Sequence, residues 1–320
     1  MRGLMWLRVV AFALVIPAYS FAQNPVLDRP LLPDGDGALV PAARITSSVN
    51  EVQLSFTALQ HGRFVTDLTA DELKLLDDNA PPSRVGSFWK NEDLPLRVAF
   101  VVDTSGSVER AVRTEQRSAI QFLEKLLHGD DRAMVIGFST RPTVAQDLTA
   151  DHKAIAAAVK NLRSTKDGTA MYDALLFACA RLHDASDTPV RRAVVLISDG
   201  DDNSSGAVAA DAVRTAQNDD VAIYVVQVNS FVFSHDSKPH ATLTALATET
   251  GGKLYEADGN AHFSPAFKRI EQELRSRYVL TYTPAAWQSD GRFRRISLHA
   301  RRSGVRIQCR PGYWAVVRNQ

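Results

Sequence analysis

The chain has 320 residues, 45% of them hydrophobic, which is enough for a sizeable core and long for one compact domain. Its formal net charge of +1 gives no indication of a polyanionic partner. From Lys268 onward the chain carries twelve Lys and Arg against three Asp and Glu. We expect these cations to form a solvated face, and we expect no nucleic-acid partner.

The N-terminus has the pattern of a secretory signal peptide. Arg2 and Arg8 supply the positive region, residues 9–16 are uncharged and apolar, and Ser20-Phe21-Ala22 fits a cleavage site. We predict that residues 1–22 are the signal peptide, cleaved after Ala22, and that the protein is secreted or periplasmic. An uncleaved anchor is the alternative. Because the apolar run is too short to span a bilayer, we expect no membrane span after cleavage.

Two β-rich segments flank the middle of the chain. Residues 23–43 are predicted to be a flexible leader and residues 317–320 a tail, whereas residues 44–92 and 277–316 alternate apolar and polar positions as strands do. Neither segment alone could bury much surface. We therefore predict that both fold together as one small β-sandwich-like domain. Two separate β elements are the alternative. The predicted strands are 49–56, 85–89, 278–283, 293–300 and 305–309.

Between these flanks, residues 93–276 alternate strand patterns with helix patterns. This alternation predicts an α/β domain with a doubly wound, mostly parallel sheet, covered by helices on both faces. Strands that are apolar at every position, such as 193–197, are typical of a sheet buried on both sides. The predicted strands are 96–103, 133–138, 142–145, 193–197, 222–228 and 254–255. The predicted helices are 108–127, 151–162, 170–182, 207–217, 241–250 and 265–276.

The first strand of this domain delivers an oxygen-rich loop. The apolar run 98–102 is followed by Asp103, Ser105 and Ser107. These side chains offer hard oxygen ligands, which suit Mg²⁺, Mn²⁺ or Ca²⁺ better than zinc or copper. An N-cap for the following helix explains the same residues, and this loop alone leaves the two interpretations open.

Two further loops carry oxygen ligands at the same predicted edge of the sheet. Thr169 lies at the start of a predicted helix, and Asp199 follows the strand 193–197. Ligands of open parallel sheets bind where the loops at the carboxyl ends of the strands converge, so joint placement favours a metal site over separate caps. Mg²⁺ is the first choice because the set is small and rich in hydroxyls, with Mn²⁺ or Ca²⁺ possible. The predicted ligands are Asp103, Ser105, Ser107, Thr169 and Asp199.

These three loops resemble the metal-ion-dependent adhesion site of von Willebrand factor type A domains. The matching residues are Asp103-Thr104-Ser105-Gly106-Ser107, Gly168-Thr169 and Ser198-Asp199-Gly200, and the resemblance extends over residues 96–276. Segments 94–96, 198–205, 277–280 and 310–313 also resemble bacterial secreted proteins related to this family. The resemblance implies that the first loop supplies three ligands, that Thr169 and Asp199 bind directly or through water, and that a protein partner supplies a carboxylate.

We expect a binding module and no enzymatic activity. A metal beside serine hydroxyls could assist hydrolysis of esters or phosphates. However, the chain has no Gly-x-Ser-x-Gly elbow, no phosphate-binding glycine loop with Lys, and no base placed by a motif. A scaffold with a purely structural cation is a further alternative. We expect Asp201, Asp202 and Asn203, which border the metal loop, to be solvated, the alternative being that they tune the partner surface.

Overall fold

The computed structural model describes residues 51–90, 93–106, 108–165, 167–183, 189–228, 238–257 and 263–315. The predicted signal peptide, leader and tail, and the predicted ligand Ser107, lie outside these ranges. The strands are β1 (Val52–Gln60), β2 (Arg63–Phe64), β3 (Leu73–Asp77), β4 (Arg84–Trp89), β5 (Leu96–Asp103), β6 (Arg132–Phe138), β7 (Pro142–Thr149), β8 (Arg191–Ser198), β9 (Val221–Gln227), β10 (Leu254–Glu256), β11 (Arg277–Thr283), β12 (Phe293–Ala300), β13 (Val305–Cys309) and β14 (Gly312–Trp314). The helices are α1 (Glu109–Leu126), α2 (His152–Asn161), α3 (Met171–His183), α4 (Ala209–Asn218), α5 (Lys238–Glu249) and α6 (Ser264–Leu274).

A six-stranded sheet with the order β10-β9-β8-β5-β6-β7 forms the centre of the α/β part. Neighbouring strands are parallel except for β6 and β7, which are antiparallel. Every residue of β5 and β9 is buried, as a sheet covered on both faces requires. The predicted α/β fold class is therefore confirmed.

Helices cover both faces of this sheet and enclose two cores. One core contains residues of α1, α2 and α6, with Phe122 and Phe267 stacked at a centroid distance of 4.7 Å. The other contains residues of α3, α4 and α5, including the fully buried Cys179. Helix α5 begins three residues earlier than predicted, since Pro239 fits a first helical turn. Among the described helices, none has the length and apolar composition needed to cross a bilayer.

Strands from the two flanks of the chain pair with each other. Strand β1 is antiparallel to β11 and β13, and also pairs with β2, while β4 extends the sheet beside β11. A second sheet has the order β14-β12-β3. The flanking strands share a third core, which includes Phe56 and Tyr278. The rings of these two residues stack at a centroid distance of 5.2 Å although the residues are far apart in the chain. The flanking β-sandwich is thus partly confirmed, and the domain bounds remain predictions.

A buried polar network joins the flanking strands to the α/β part. The Arg310 guanidinium pairs with the Asp220 carboxylate and donates a hydrogen bond to the Gln53 carbonyl at 2.6 Å. The Ser55 hydroxyl donates to the same carboxylate at 2.6 Å. Arg277 donates to the Tyr224 hydroxyl at 2.7 Å and to the Ser55 carbonyl at 3.1 Å. The inserted part is therefore fixed to its flanks by buried charged groups.

Candidate metal centre

The candidate site lies at the carboxyl ends of the two central strands. Strands β5 and β8 are parallel neighbours, and Val102 is paired with Ile197 directly before the two loops begin. The order of the strands reverses here, because β6 lies on one side of β5 and β8 lies on the other. This is the position at which open α/β sheets bind ligands.

Asp103 is fully buried at the end of β5. Its Oδ1 accepts the Ser105 N–H at 2.8 Å, and its Oδ2 accepts the Ser198 hydroxyl at 3.0 Å. Burial raises the pKa of this carboxyl to about 6, and the nearby Asp199 charge also raises it, against the lowering effect of the hydrogen bonds from Ser105 and Ser198. A cation would stabilise this buried carboxylate in its charged form.

The backbone at Thr169 and Ala170 is held by hydrogen bonds to the loop after β8 and to the loop after β6. The Thr169 carbonyl accepts the N–H groups of Asn203 and Ser204, each at 3.0 Å, and the adjacent Ala170 N–H donates to the Ser139 carbonyl at 2.6 Å. The Thr169 side chain is buried, and no hydrogen bond to another described residue occupies its hydroxyl. The hydroxyl is therefore available as a ligand.

Asp199 is 2% exposed and lies at the start of the loop after β8. Its Oδ1 accepts the Asp201 N–H at 3.2 Å. The next residue, Gly200, has a φ of +92°, and a Cβ there would lie 2.8 Å from the Leu243 side chain. Glycine is required at this position, because the loop turns in the left-handed region against α5.

Two buried carboxylates thus lie at one edge of the sheet with hydroxyls beside them. Across the ranges that the structure describes, no Lys, Arg or His forms an ion pair with Asp103 or Asp199. The same ranges hold no cluster of three or more His, Cys, Asp and Glu side chains suited to a metal. A hard divalent cation fits the donor set and would offset the carboxylate charges. Four predicted ligands, Asp103, Ser105, Thr169 and Asp199, belong to these loops.

Asp201 and Asn203 are exposed, as expected, whereas Asp202 is partly buried, and both Asp202 and Asn203 bind backbone groups of another segment of the chain. The Asp202 carboxylate accepts the Tyr172 N–H at 3.1 Å and the Asn203 Oδ1 accepts the Thr169 N–H at 2.9 Å. A run of Asp, Asn and Ser predicts local turns, but it does not predict partners about 30 residues away in the chain.

Comparisons with known proteins agree with this fold. Residues 98–201 match the family model of the von Willebrand factor type A domain. A UPF0353 protein of Mycolicibacterium paratuberculosis is 25% identical over 213 residues, covering 59% of this chain and 64% of the relative. The chain thus spans less than two thirds of that relative's length.

Two solved structures are similar at low identity. A von Willebrand factor type A protein from Catenulispora acidiphila has a TM-score of 0.48 and 15% identity, covering 84% of this chain and 74% of its own. Proximal thread matrix protein 1 from the mussel byssus, with a zinc-occupied MIDAS motif, has a TM-score of 0.48 and 19% identity, covering 58% of this chain and 47% of its own. On the family match, this chain carries a von Willebrand factor type A domain over residues 98–201.

Proposed function

We propose that this protein is an exported, non-enzymatic binding module that uses a divalent cation to bind an acidic side chain of a partner protein. The ligands are Asp103, Ser105, Ser107, Thr169 and Asp199. The observation that carries the proposal is the pair of buried carboxylates, Asp103 and Asp199, with no cationic side chain paired to them in the described ranges. Buried carboxylates of this kind require a compensating charge.

When bound, the cation would supply a coordination position that a carboxylate oxygen of the partner can occupy. The protein's own residues set up this position: Asp103 and Asp199 bring negative charge, and Thr169 brings a hydroxyl at the edge of the sheet. Mg²⁺ is the proposed ion because the donor set is small and contains hydroxyls, with Mn²⁺ and Ca²⁺ as substitutes. Export rests on the predicted signal peptide.

The test compares partner capture by three proteins: the wild type, Asp103→Ala and Asp130→Ala. Asp130 is an exposed aspartate at the opposite end of the sheet, just before β6, and serves as the matched control. With immobilised protein and an extract of the source cells, we expect capture in Mg²⁺ by the wild type and by Asp130→Ala. We expect none in EDTA, and none by Asp103→Ala in either condition.

Two other outcomes would overturn the proposal. Capture that ignores both EDTA and Asp103→Ala, in a protein whose melting temperature still rises with Mg²⁺, would assign the cation a structural role only. Turnover of simple esters or phosphates that is lost in Ser105→Ala would make the protein a metal-assisted hydrolase.

A further inference from the structure

We propose that four positioning residues form a latch that joins loop 201–207 to the start of α3 and so positions Thr169: Asp173, Asp202, Asn203 and Ser205. The proposal rests on the proposed function, because it concerns how the cation ligands of two separate loops are kept in place. It assigns a role to side chains that make no ligand contact themselves.

The first half of the latch encloses the backbone of Thr169. Asn203 Oδ1 accepts the Thr169 N–H at 2.9 Å and the Ser204 hydroxyl at 2.8 Å. In return, the Thr169 carbonyl accepts the N–H groups of Asn203 and Ser204, each at 3.0 Å. A Cβ on Gly168 would lie 2.1 Å from the Ser204 Oγ and 2.6 Å from the Asn203 Oδ1. The two loops therefore pack closely only because residue 168 is glycine.

The second half joins the same loop to the first turn of α3. The Asp202 carboxylate accepts the Tyr172 N–H at 3.1 Å and the Ser205 hydroxyl at 2.7 Å. The Ser205 Oγ in turn accepts the Asp173 N–H at 3.2 Å. These bonds satisfy N–H groups of a helix start that have no partner within the helix. Acidic side chains at this end also interact favourably with the helix dipole.

Asp173 closes the latch from the helix side. Its carboxylate accepts the Gly206 N–H at 3.0 Å and the Ala207 N–H at 3.0 Å. Hydrogen bonds thus run in both directions between the start of α3 and the loop that follows Asp199. Thr169 and Asp199 come from different parts of the chain, and the latch keeps their separation constant. Such supporting contacts orient metal ligands before the metal arrives.

Acidic residues near a cation also strengthen its binding through their charge alone, without any hydrogen bond. Comparing Asp201 with Asp202 distinguishes this charge effect from the latch. Asp201 is adjacent to Asp202, carries the same charge and is exposed. Within the described ranges its carboxylate accepts no hydrogen bond. Asp201→Asn and Asp202→Asn each remove one negative charge, but only Asp202→Asn removes an acceptor from the latch.

The first readout is Mn²⁺ binding by calorimetry. We expect Asp202→Asn to weaken binding roughly tenfold, as is usual when residues that support metal ligands are changed, and Asp201→Asn to weaken it by less than about threefold. Asn203→Ala should weaken binding about as much as Asp202→Asn. Asn203→Asp should bind Mn²⁺ about as tightly as the wild type, since its carboxylate keeps an acceptor oxygen for the Thr169 N–H.

The second readout needs no metal. In EDTA, hydrogen exchange of the Thr169 amide should accelerate in Asn203→Ala, and that of the Tyr172 amide in Asp202→Asn, while Asp201→Asn leaves both unchanged. Equal effects of Asp201→Asn and Asp202→Asn on Mn²⁺ binding, or unchanged exchange in both latch variants, would overturn the latch. A wild type that binds no Mn²⁺ would overturn the proposed function instead, while the exchange comparison would still decide whether the latch exists.

Discussion

Asp103→Asn is expected to abolish cation binding and, at the same time, to stabilise the metal-free protein at neutral pH. The carboxyl is fully buried, and its pKa is raised from 3.8 to about 6. This shift corresponds to a penalty of up to about 3 kcal/mol for holding the charged form in the folded state. Asparagine has nearly the same shape without the charge. Urea unfolding in EDTA at pH 7 should therefore show a larger free energy of unfolding for the variant.

The gain in stability from Asp103→Asn depends on pH. Between pH 3.8 and 6 the folded wild type binds a proton at Asp103 that the unfolded chain has released. The stabilising contribution of protonated Asp103 is complete below pH 3.8 and is lost as the pH rises through 6. The advantage of Asp103→Asn should therefore be small at pH 4 and largest above pH 6. Asp130→Asn, at an exposed site, is the control variant for this comparison. A variant less stable than the wild type at pH 7 would contradict the prediction.

Asp220→Ala is expected to be the most destabilising single change at the junction between the flanking strands and the α/β part. It leaves the Arg310 guanidinium, which is 2% exposed, without its ionic partner, and it removes an acceptor from Gln53 and Ser55. Breaking one side of a buried ion pair costs about 3–5 kcal/mol. Urea unfolding at neutral pH measures this loss directly.

Two comparison variants isolate the cause of that loss. Asp147 pairs with Arg181 at the surface, so Asp147→Ala should cost less than about 1 kcal/mol. Asp220 has a φ of +51°, a conformation that asparagine tolerates better than alanine, and Asp220→Asn therefore removes the charge with little backbone strain. If Asp220→Ala were no worse than Asp147→Ala, the buried pair would contribute nothing to holding the parts together.

Much of the α/β part could be predicted from the sequence, because its local patterns agree with its fold. The apolar run 193–197 within β8 indicated a sheet covered on both faces, and helix periodicity located the six helices of the described ranges to within a few residues. Because ligands of such sheets bind at the carboxyl ends of the strands, Asp103, Thr169 and Asp199 could be predicted to lie at one edge of the sheet. Because β5 lies beside β8 in the sheet, the loops that carry Asp103 and Asp199 are adjacent.

The contacts that support the site could not be predicted in this way. The latch joins Asp173 to Gly206 and Ala207, and nothing in a run of Asp, Asn and Ser indicates a partner more than 30 residues away. Asp220 resembles an ordinary turn residue, and its partner Arg310 lies 90 residues further along the chain. Strand β14 has three residues, too few to show any periodicity.

The most direct test of the cation site is an anomalous diffraction experiment on crystals grown with Mn²⁺. We expect one strong anomalous peak within coordination distance of oxygen atoms of Asp103 and Asp199, next to the Thr169 hydroxyl, and the loss of this peak in Asp103→Ala crystals. A peak only at another position, or none in crystals grown at saturating Mn²⁺, would contradict the assignment of these carboxylates as cation ligands.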